Sequence, residues 1–294
     1  DHAFAFPKCH NYLCRKIERF SMKKGGTIAL VVSTYNAPEY LSRCLSSVEN
    51  QELVPNEVLV ADDGSAAPTK VVVERFAERM RRQCPRVEVR HIWHPDEGFR
   101  LGPIKNKAIA AAKSDYILQI DGDLVLDRRF VRDHASVMRR GRYVIGSRVM
   151  LGAEETRSLL EHPQEEVRKF AAGRSNVFNG VRFPFLSRFF GGYRRKDPYF
   201  SRGGLMGCWR EDFLRVNGYD ERMTGWGWED TELLARMRHA GVESYALKYK
   251  AITYHLYHRE SSREQQDRNR EMFLKTLHGG VERCPEGVDK YLVG

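Results

Sequence analysis

The chain has 294 residues, 41% hydrophobic and 30% charged, a balance that excludes disordered and collagen-like classes and provides ample core. No apolar run approaches the roughly 20 residues of a membrane-spanning helix. The formal charge of +10 and pI of about 9.3 point to an anionic partner such as nucleic acid, acidic lipid or a phosphorylated substrate, without choosing among them.

Residues 1–25 form a basic and aromatic extension, with Phe4, Phe6, Tyr12, Arg15, Lys16, Phe20, Lys23 and Lys24. They read as a helix packed on the domain or a segment lying on a membrane surface. The pattern then becomes an alternation of strands and helices. Strands are expected at 27–32, 57–61, 87–92 and 116–120, where short apolar runs are rich in Val, Ile and Leu. Helices are expected at 39–49, 69–82 and 103–113. Such an alternation argues for an α/β fold with a mostly parallel, Rossmann-like sheet flanked by helices. Neither a GxGxxG fingerprint nor a P-loop is present.

In parallel sheets ligands bind at the carboxyl ends of the strands. Polar clusters sit there: Thr34, Tyr35 and Asn36 after the first strand, Asp62 and Asp63 after the second, Asp121-Gly122-Asp123 after the fourth. Asp121 and Asp123 are spaced to hold a hard divalent cation through oxygen, and His255 or His258 would add nitrogen and favour Mn²⁺ over Mg²⁺. Tyr35 is placed to stack on a base. Asp62 and Asp63 are placed to accept from ribose or a base edge. Arg100, Lys105 and Asn106 are expected on a loop and helix start, near phosphate or ribose. Each of these also has a plainer reading as turn or surface.

Periodicity weakens after Met150. Residues 155–200 are charged and then aromatic, with Arg182, Arg188, Arg194, Arg195 and Lys196 among Phe178, Phe183, Phe185, Phe189, Phe190 and Tyr193, and read as a mobile insertion outside the core. Helices are expected again at 211–216 and 230–240, and a strand at 251–254. The second of these helices begins at Gly225-Trp-Gly-Trp-Glu-Asp230. Two indoles beside two carboxylates raise carboxylate pKa and exclude water, as a general base requires. The glycines permit close backbone approach to a ligand.

These motifs together resemble a family. Val32-Ser-Thr-Tyr-Asn36, Leu59-Val-Ala-Asp-Asp-Gly-Ser65, Lys105-Asn-Lys-Ala108 and Ile120-Asp-Gly-Asp123 are similar to inverting GT-A glycosyltransferases of family 2. Gly218-Tyr-Asp220 through Asp230 resembles the galactosyltransferase-like half of β-1,4-galactosyltransferases and chondroitin-polymerase-like enzymes, and Tyr254-His255 matches the metal-binding histidine of that group. Trp228 departs from the pattern, which usually has Gly there.

The resemblance covers roughly residues 26–260. It implies a nucleotide-sugar half at 26–150, an acceptor-binding and catalytic half at 151–260, and a C-terminal helical tail at 261–294. It further implies that Thr34, Tyr35, Asn36, Asp62, Asp63, Arg100, Lys105 and Asp121 bind a UDP-sugar donor, and that Asp123, His255 and Asp121 hold Mn²⁺ or Mg²⁺. Asp230 would be the base, with Glu229 sharing that role or binding the acceptor beside Trp226 and Trp228. The acceptor would be a glycan or lipid-linked hydroxyl.

Competing readings are a sugar nucleotidyltransferase, disfavoured because Ser33-Thr-Tyr-Asn36 is not a Gly-rich, Arg-containing loop, and a basic nucleic-acid-binding protein, disfavoured by the acidic pair at 121–123. The six cysteines lack CxxC spacing and read as free thiols of a reducing compartment. With no secretory leader evident in residues 1–24, the expected location is cytoplasmic, peripheral on the inner face of an anionic membrane.

Overall fold

The computed structural model describes residues 26–163, 165–167, 173–201, 204–259 and 265–292. The basic extension at 1–25 therefore lies outside the described residues.

The first half builds the sheet. β1 (Ile28–Thr34) and β2 (Glu57–Asp62) are buried along their whole length, as strands covered on both faces must be. α1 (Pro38–Glu49) connects them, with proline in its first turn, where the missing N–H leaves no bond unmade. α2 (Ala67–Gln83), β3 (Glu88–Trp93), α3 (Leu101–Ala111) and β4 (Tyr116–Asp121) follow. β5 (Leu124–Leu126), α4 (Phe130–Val137), β6 (Arg142–Ile145), β7 (Ser147–Met150) and α5 (Ala153–Glu161) lead into two 3-10 turns, Val177–Gly180 and Leu186–Phe189. β8 (Leu205–Trp209), α6 (Arg210–Arg215), α7 (Glu229–His239), β9 (Glu243–Ala246), β10 (Ile252–His255) and α8 (Gln266–Gly279) complete the order.

The seven-stranded sheet runs β3-β2-β1-β4-β8-β6-β9. β8 is antiparallel to both β4 and β6, and the other neighbours are parallel. The expected mostly parallel sheet with helices on its faces is what forms. A second sheet, β5-β10-β7, lies beyond the end of β4. Two apolar clusters cover the faces of the large sheet. One packs Leu30, Val32, Leu41 and Phe76 beneath α1 and α2, and the other packs Val31, Ile104, Phe213 and Leu233 beneath α3 and α7.

Two sequence expectations shift. α3 begins at Leu101, two residues before Pro103, because proline is tolerated within a first helical turn. Lys105, expected at the helix start, lies a full turn into the helix and is 1% exposed. Residues 155–200 include most of α5, whose Leu159 packs with Val125, Val149, Leu151 and Leu256. The charged neighbours of Leu159 conceal that contact from a periodicity reading. Cys44, Cys84, Cys208 and Cys284 are buried.

α7 is fixed from beneath by a buried ion pair. The guanidinium of Arg236 is fully buried and donates to Glu232 at 2.6 and 2.8 Å, while Thr276 of α8 donates to Glu232 at 2.9 Å. Removing one partner of such a pair strands the other charge. Arg236→Leu is expected to cost about 3–5 kcal/mol, read from urea unfolding. A loss below about 1 kcal/mol would show that the pair does not anchor the helix.

Candidate active site

Sheet register brings the metal-ligand candidates together. His255 at the end of β10 pairs with Leu124 of β5, and Leu256 N–H donates to the Asp123 carbonyl at 3.0 Å. The chain after β10 then returns His258 to the same carboxylate. Asp123 Oδ2 lies 3.3 Å from His255 Nε2 and 2.9 Å from His258 Nε2. One ligand atom from each of the three lies within 4.8 Å of the others. Burial opposes the Asp123 charge, but hydrogen bonds to the two histidines hold its carboxyl well below the ordinary range. The bond to Asp123 raises His258 to about 9. Asp123 Oδ1 and His255 Nδ1 are buried without a partner among the described residues. A one-oxygen, two-nitrogen donor set with an orphaned carboxylate oxygen suits Mn²⁺ better than Mg²⁺. A cavity of about 950 Å³ opens beside the two histidines, within the size range of small-molecule sites.

Asp121 stands apart from that group. Its Oδ1 accepts from Ser33 Oγ at 2.8 Å and lies 3.9 Å from Lys105 Nζ. Gly204 abuts it so closely that a Cβ there would fall 1.7 Å from Asp121 Oδ2. Lys105 Nζ also lies 3.8 Å from Asp230 Oδ1, and so joins the end of β4 to the start of α7. Burial disfavours the ammonium, but Asp230, Asp121, Glu229 and Asp63 together raise its pKa, so it stays charged. Asp230 takes a further contact from the Tyr219 hydroxyl at 3.0 Å. Burial and the Asp230 charge push that phenol well above its usual range, which keeps it a donor.

Glu229 and Asp230 occupy the first turn of α7, where acidic side chains complement the helix dipole. Gly225 and Gly227 have positive φ, and the Gly227 N–H donates to Glu229 Oε2 at 2.9 Å. Glu229 is 7% exposed. Burial first and the adjacent Asp230 second push its pKa to about 7, against the pull of Lys105. Trp226 is 39% exposed. Trp228 instead stacks on Phe273 of α8 at 5.2 Å.

The nucleotide-side candidates line the ends of β1 and β2. Asp62 accepts from Ser65 N–H at 2.9 Å and contacts His91 Nε2 at 2.8 Å. Asp63 contacts His94 Nε2 at 2.7 Å and accepts from Arg100 N–H at 2.9 Å. Burial works against both charges. The bonds to His91 and Ser65 bring Asp62 below its usual value, whereas Asp63 stays raised. His91 and His94 were invisible as partners because they lie on β3 and just after it, away from any acidic motif. Tyr35 is 50% exposed and donates to Asp96 at 2.9 Å. Asn36 accepts from Ala66 N–H at 2.9 Å, and the Thr34 carbonyl accepts from Asp63 N–H at 3.0 Å. These two residues shape the loop. Arg100 is half-buried and pairs with Glu97.

Residues 29–198 match the sequence family described as glycosyl transferase family 2, and residues 186–259 match the N-terminal domain of galactosyltransferase. The chain belongs to glycosyl transferase family 2. This glycosyltransferase is 29% identical to validoxylamine A glucosyltransferase of Streptomyces hygroscopicus subsp. limoneus, over 73% of the chain and 48% of the relative. It is 24% identical to chondroitin synthase of Escherichia coli, over 78% of the chain and 34% of the relative. The chain thus spans about half the length, or less, of these curated relatives. Its fold superposes on a mannosyltransferase of Pyrobaculum calidifontis in complex with GDP-Man and Mn²⁺, at a TM-score of 0.58 and 16% identity over 97% of this chain and 75% of that one. GalNAc-T7 with UDP, GalNAc and Mn²⁺ gives 0.58 and 17% over 86% and 48%. These likenesses establish the glycosyltransferase GT-A fold.

The Glu229 shift has a signed consequence. Its folded pKa lies above the ordinary value of 4.5, so the neutral form is favoured by folding. That contribution is complete below pH 4.5 and is lost as pH rises through about 7. In chelator, Tm of the native chain should therefore fall relative to Glu229→Gln between those values. Parallel pH profiles of the two proteins would contradict the assignment.

Proposed function

We propose that this glycosyltransferase moves a hexose or N-acetylhexosamine from a UDP-sugar to a hydroxyl of a glycan or lipid-linked acceptor, with inversion. The observation that carries this reading is the single ammonium of Lys105 touching Asp121 on the strand end and Asp230 on the helix. It places a donor-side carboxylate and a base candidate in one cluster. Asp123, His255 and His258 would hold Mn²⁺, which when bound neutralises charge on the departing diphosphate. Tyr35 offers a half-exposed ring to the base, and Asp62 and Asp63 offer carboxylate oxygens to the uridine.

Asp230 removes the proton of the acceptor hydroxyl as that oxygen attacks the anomeric carbon from the face opposite the diphosphate. Lys105 and Tyr219 contact Asp230 and hold its carboxylate in place. Glu229, held by Gly227, binds the acceptor. Trp226 supplies an apolar surface for a sugar ring. Chondroitin synthase among the relatives supports a role in polysaccharide synthesis.

Asp123→Ala is expected to abolish Mn²⁺-dependent binding of UDP in calorimetry, and Asp230→Asn to retain that binding while losing about 10³-fold or more in transfer. Transfer at the native rate by Asp230→Asn would refute the base assignment.

The reading includes a membrane surface. Val177, Phe178, Phe183, Phe185, Leu186 and Phe189 are all exposed, with Arg182 among them and the basic run at 194–196 after them. The backbone beneath is anchored: Arg182 donates to Asp133 at 2.6 and 2.7 Å, and Phe183 N–H to the Tyr249 carbonyl at 3.1 Å. Apolar rings beside exposed cations suit an anionic bilayer, each cation near its surface adding about 1 kcal/mol. No helix among the described residues is long and apolar enough to cross one. The native chain should co-sediment with phosphatidylglycerol vesicles at low salt, and Phe185→Ser with Phe189→Ser should weaken this. Native protein left in the supernatant would exclude the surface.

A further inference from the structure

A small polar cavity of about 150 Å³ lies where β6 gives way to β7, walled by Ser147, Asn176, Asn179, Tyr193, Arg194 and Lys248. No carboxylate lines it. The Ser147 hydroxyl is buried, 3% exposed, and has no hydrogen-bond partner among the described residues. A buried hydroxyl left without a partner is costly, and such an orphan in a polar cavity calls for a ligand or ordered water. Lys248 Nζ rests 4.3 Å from the centroid of the Tyr193 ring, and no carboxylate among the described residues pairs with it. Arg194 stacks on Phe200 and donates to Asp197 at 2.8 Å, which holds its guanidinium at the cavity wall. Asn179 Nδ2 is engaged by the Arg148 carbonyl, so its amide is fixed in orientation.

We infer that this cavity is an anion site that takes a phosphate ester. Polar and basic side chains line it from four separate segments: the start of β7, the turn at 176–179, the turn at 193–194 and the chain after β9. Hydroxyl and ammonium donors from several walls match a tetrahedral group better than a planar carboxylate, and lysine binds phosphate as a point charge. The site shares the sheet edge of the donor cluster. Ile120 of β4 pairs with Leu205 of β8, and Met206 of β8 pairs with Ile145 of β6. Two strand spacings put the cavity about 10 Å from Asp121. A phosphate there is a second anion, distinct from the diphosphate of a donor. The two chemical sources are a soluble phosphate ester, such as one carried by the acceptor, and a phospholipid headgroup.

The test needs neither donor nor transfer, so its outcome is independent of the sugar-transfer reading. Binding of inorganic phosphate is measured by calorimetry on the full chain in EDTA, at fixed ionic strength. Saturable binding is expected, weakened about tenfold or more in Lys248→Met and largely kept in Lys248→Arg. Lys70→Met, on the far exposed α2, should bind as the native chain does. Ser147→Ala, a minimal change, should also weaken binding. Glycerol 1-phosphate that displaces the phosphate would assign a soluble ester, and displacement only by phosphatidylglycerol vesicles would assign a headgroup. The inference is overturned if the native chain shows no saturable binding, if Lys248→Met binds as tightly as native, or if neither ester displaces phosphate.

Discussion

A single buried cation organises the site. Lys105 Nζ is in van der Waals reach of Asp121 and Asp230, and 5.3 Å from the centroid of the Tyr219 ring. Without it, the carboxyls of Asp121, Glu229 and Asp230 would crowd together in a low-dielectric setting with no opposing charge between them. The lysine is delivered by α3, and its neighbour Asn106 completes the link. Asn106 Nδ2 donates to the Tyr219 carbonyl at 2.9 Å, while Tyr219 N–H donates back to Asn106 Oδ1 at 2.8 Å. One helical turn therefore holds both the ammonium and the phenol that contact Asp230. The first half of the chain positions the base candidate of the second.

The fold also separates two kinds of carboxylate. Asp62 and Asp63 are each matched to one histidine and one backbone N–H, which fixes the orientation of each carboxylate and leaves acceptor sites over. Asp123 is matched to two histidines and keeps an oxygen without a partner. The first arrangement fixes a loop. The second leaves coordination capacity, and it arises because the short β5-β10-β7 sheet sets residues distant in sequence side by side.

Much of the fold is legible in the sequence because β1, β2 and β4 are continuous apolar runs bounded by polar loops. β6, β7 and β9 have four residues each, too few for periodicity to register. The acidic motifs are legible for the same reason as the strands, since they stand at strand ends. Lys105 is legible as a residue of the expected helix, but not its burial against Asp121 and Asp230, which elements distant in sequence bring to it. His258 was left undecided by spacing alone, and only the turn after β10 brings it to Asp123. Tyr219 stood inside a recognised motif, yet nothing local marks its hydroxyl as the partner of Asp230.

Trp228 shows how a departure from the family pattern is accommodated. It occupies a left-handed backbone position, φ 71°, where glycine would be unstrained. A side chain there costs on the order of 1 kcal/mol or more. Its indole stacks on Phe273 at 5.2 Å and meets Tyr199 edge-on at 6.2 Å, and aromatic pairs contribute about 0.5–1.5 kcal/mol each beyond burial. The two effects are of similar size, so the chain keeps the backbone path that glycine permits and gains an attachment to α8. The consequence bears on the acceptor face proposed for this turn. An indole committed to α8 presents little face to a sugar, whereas Trp226, 39% exposed in the same glycine-hinged turn, does. Of the two tryptophans, Trp226 is the one whose replacement should touch acceptor affinity without loosening the helix that carries Asp230.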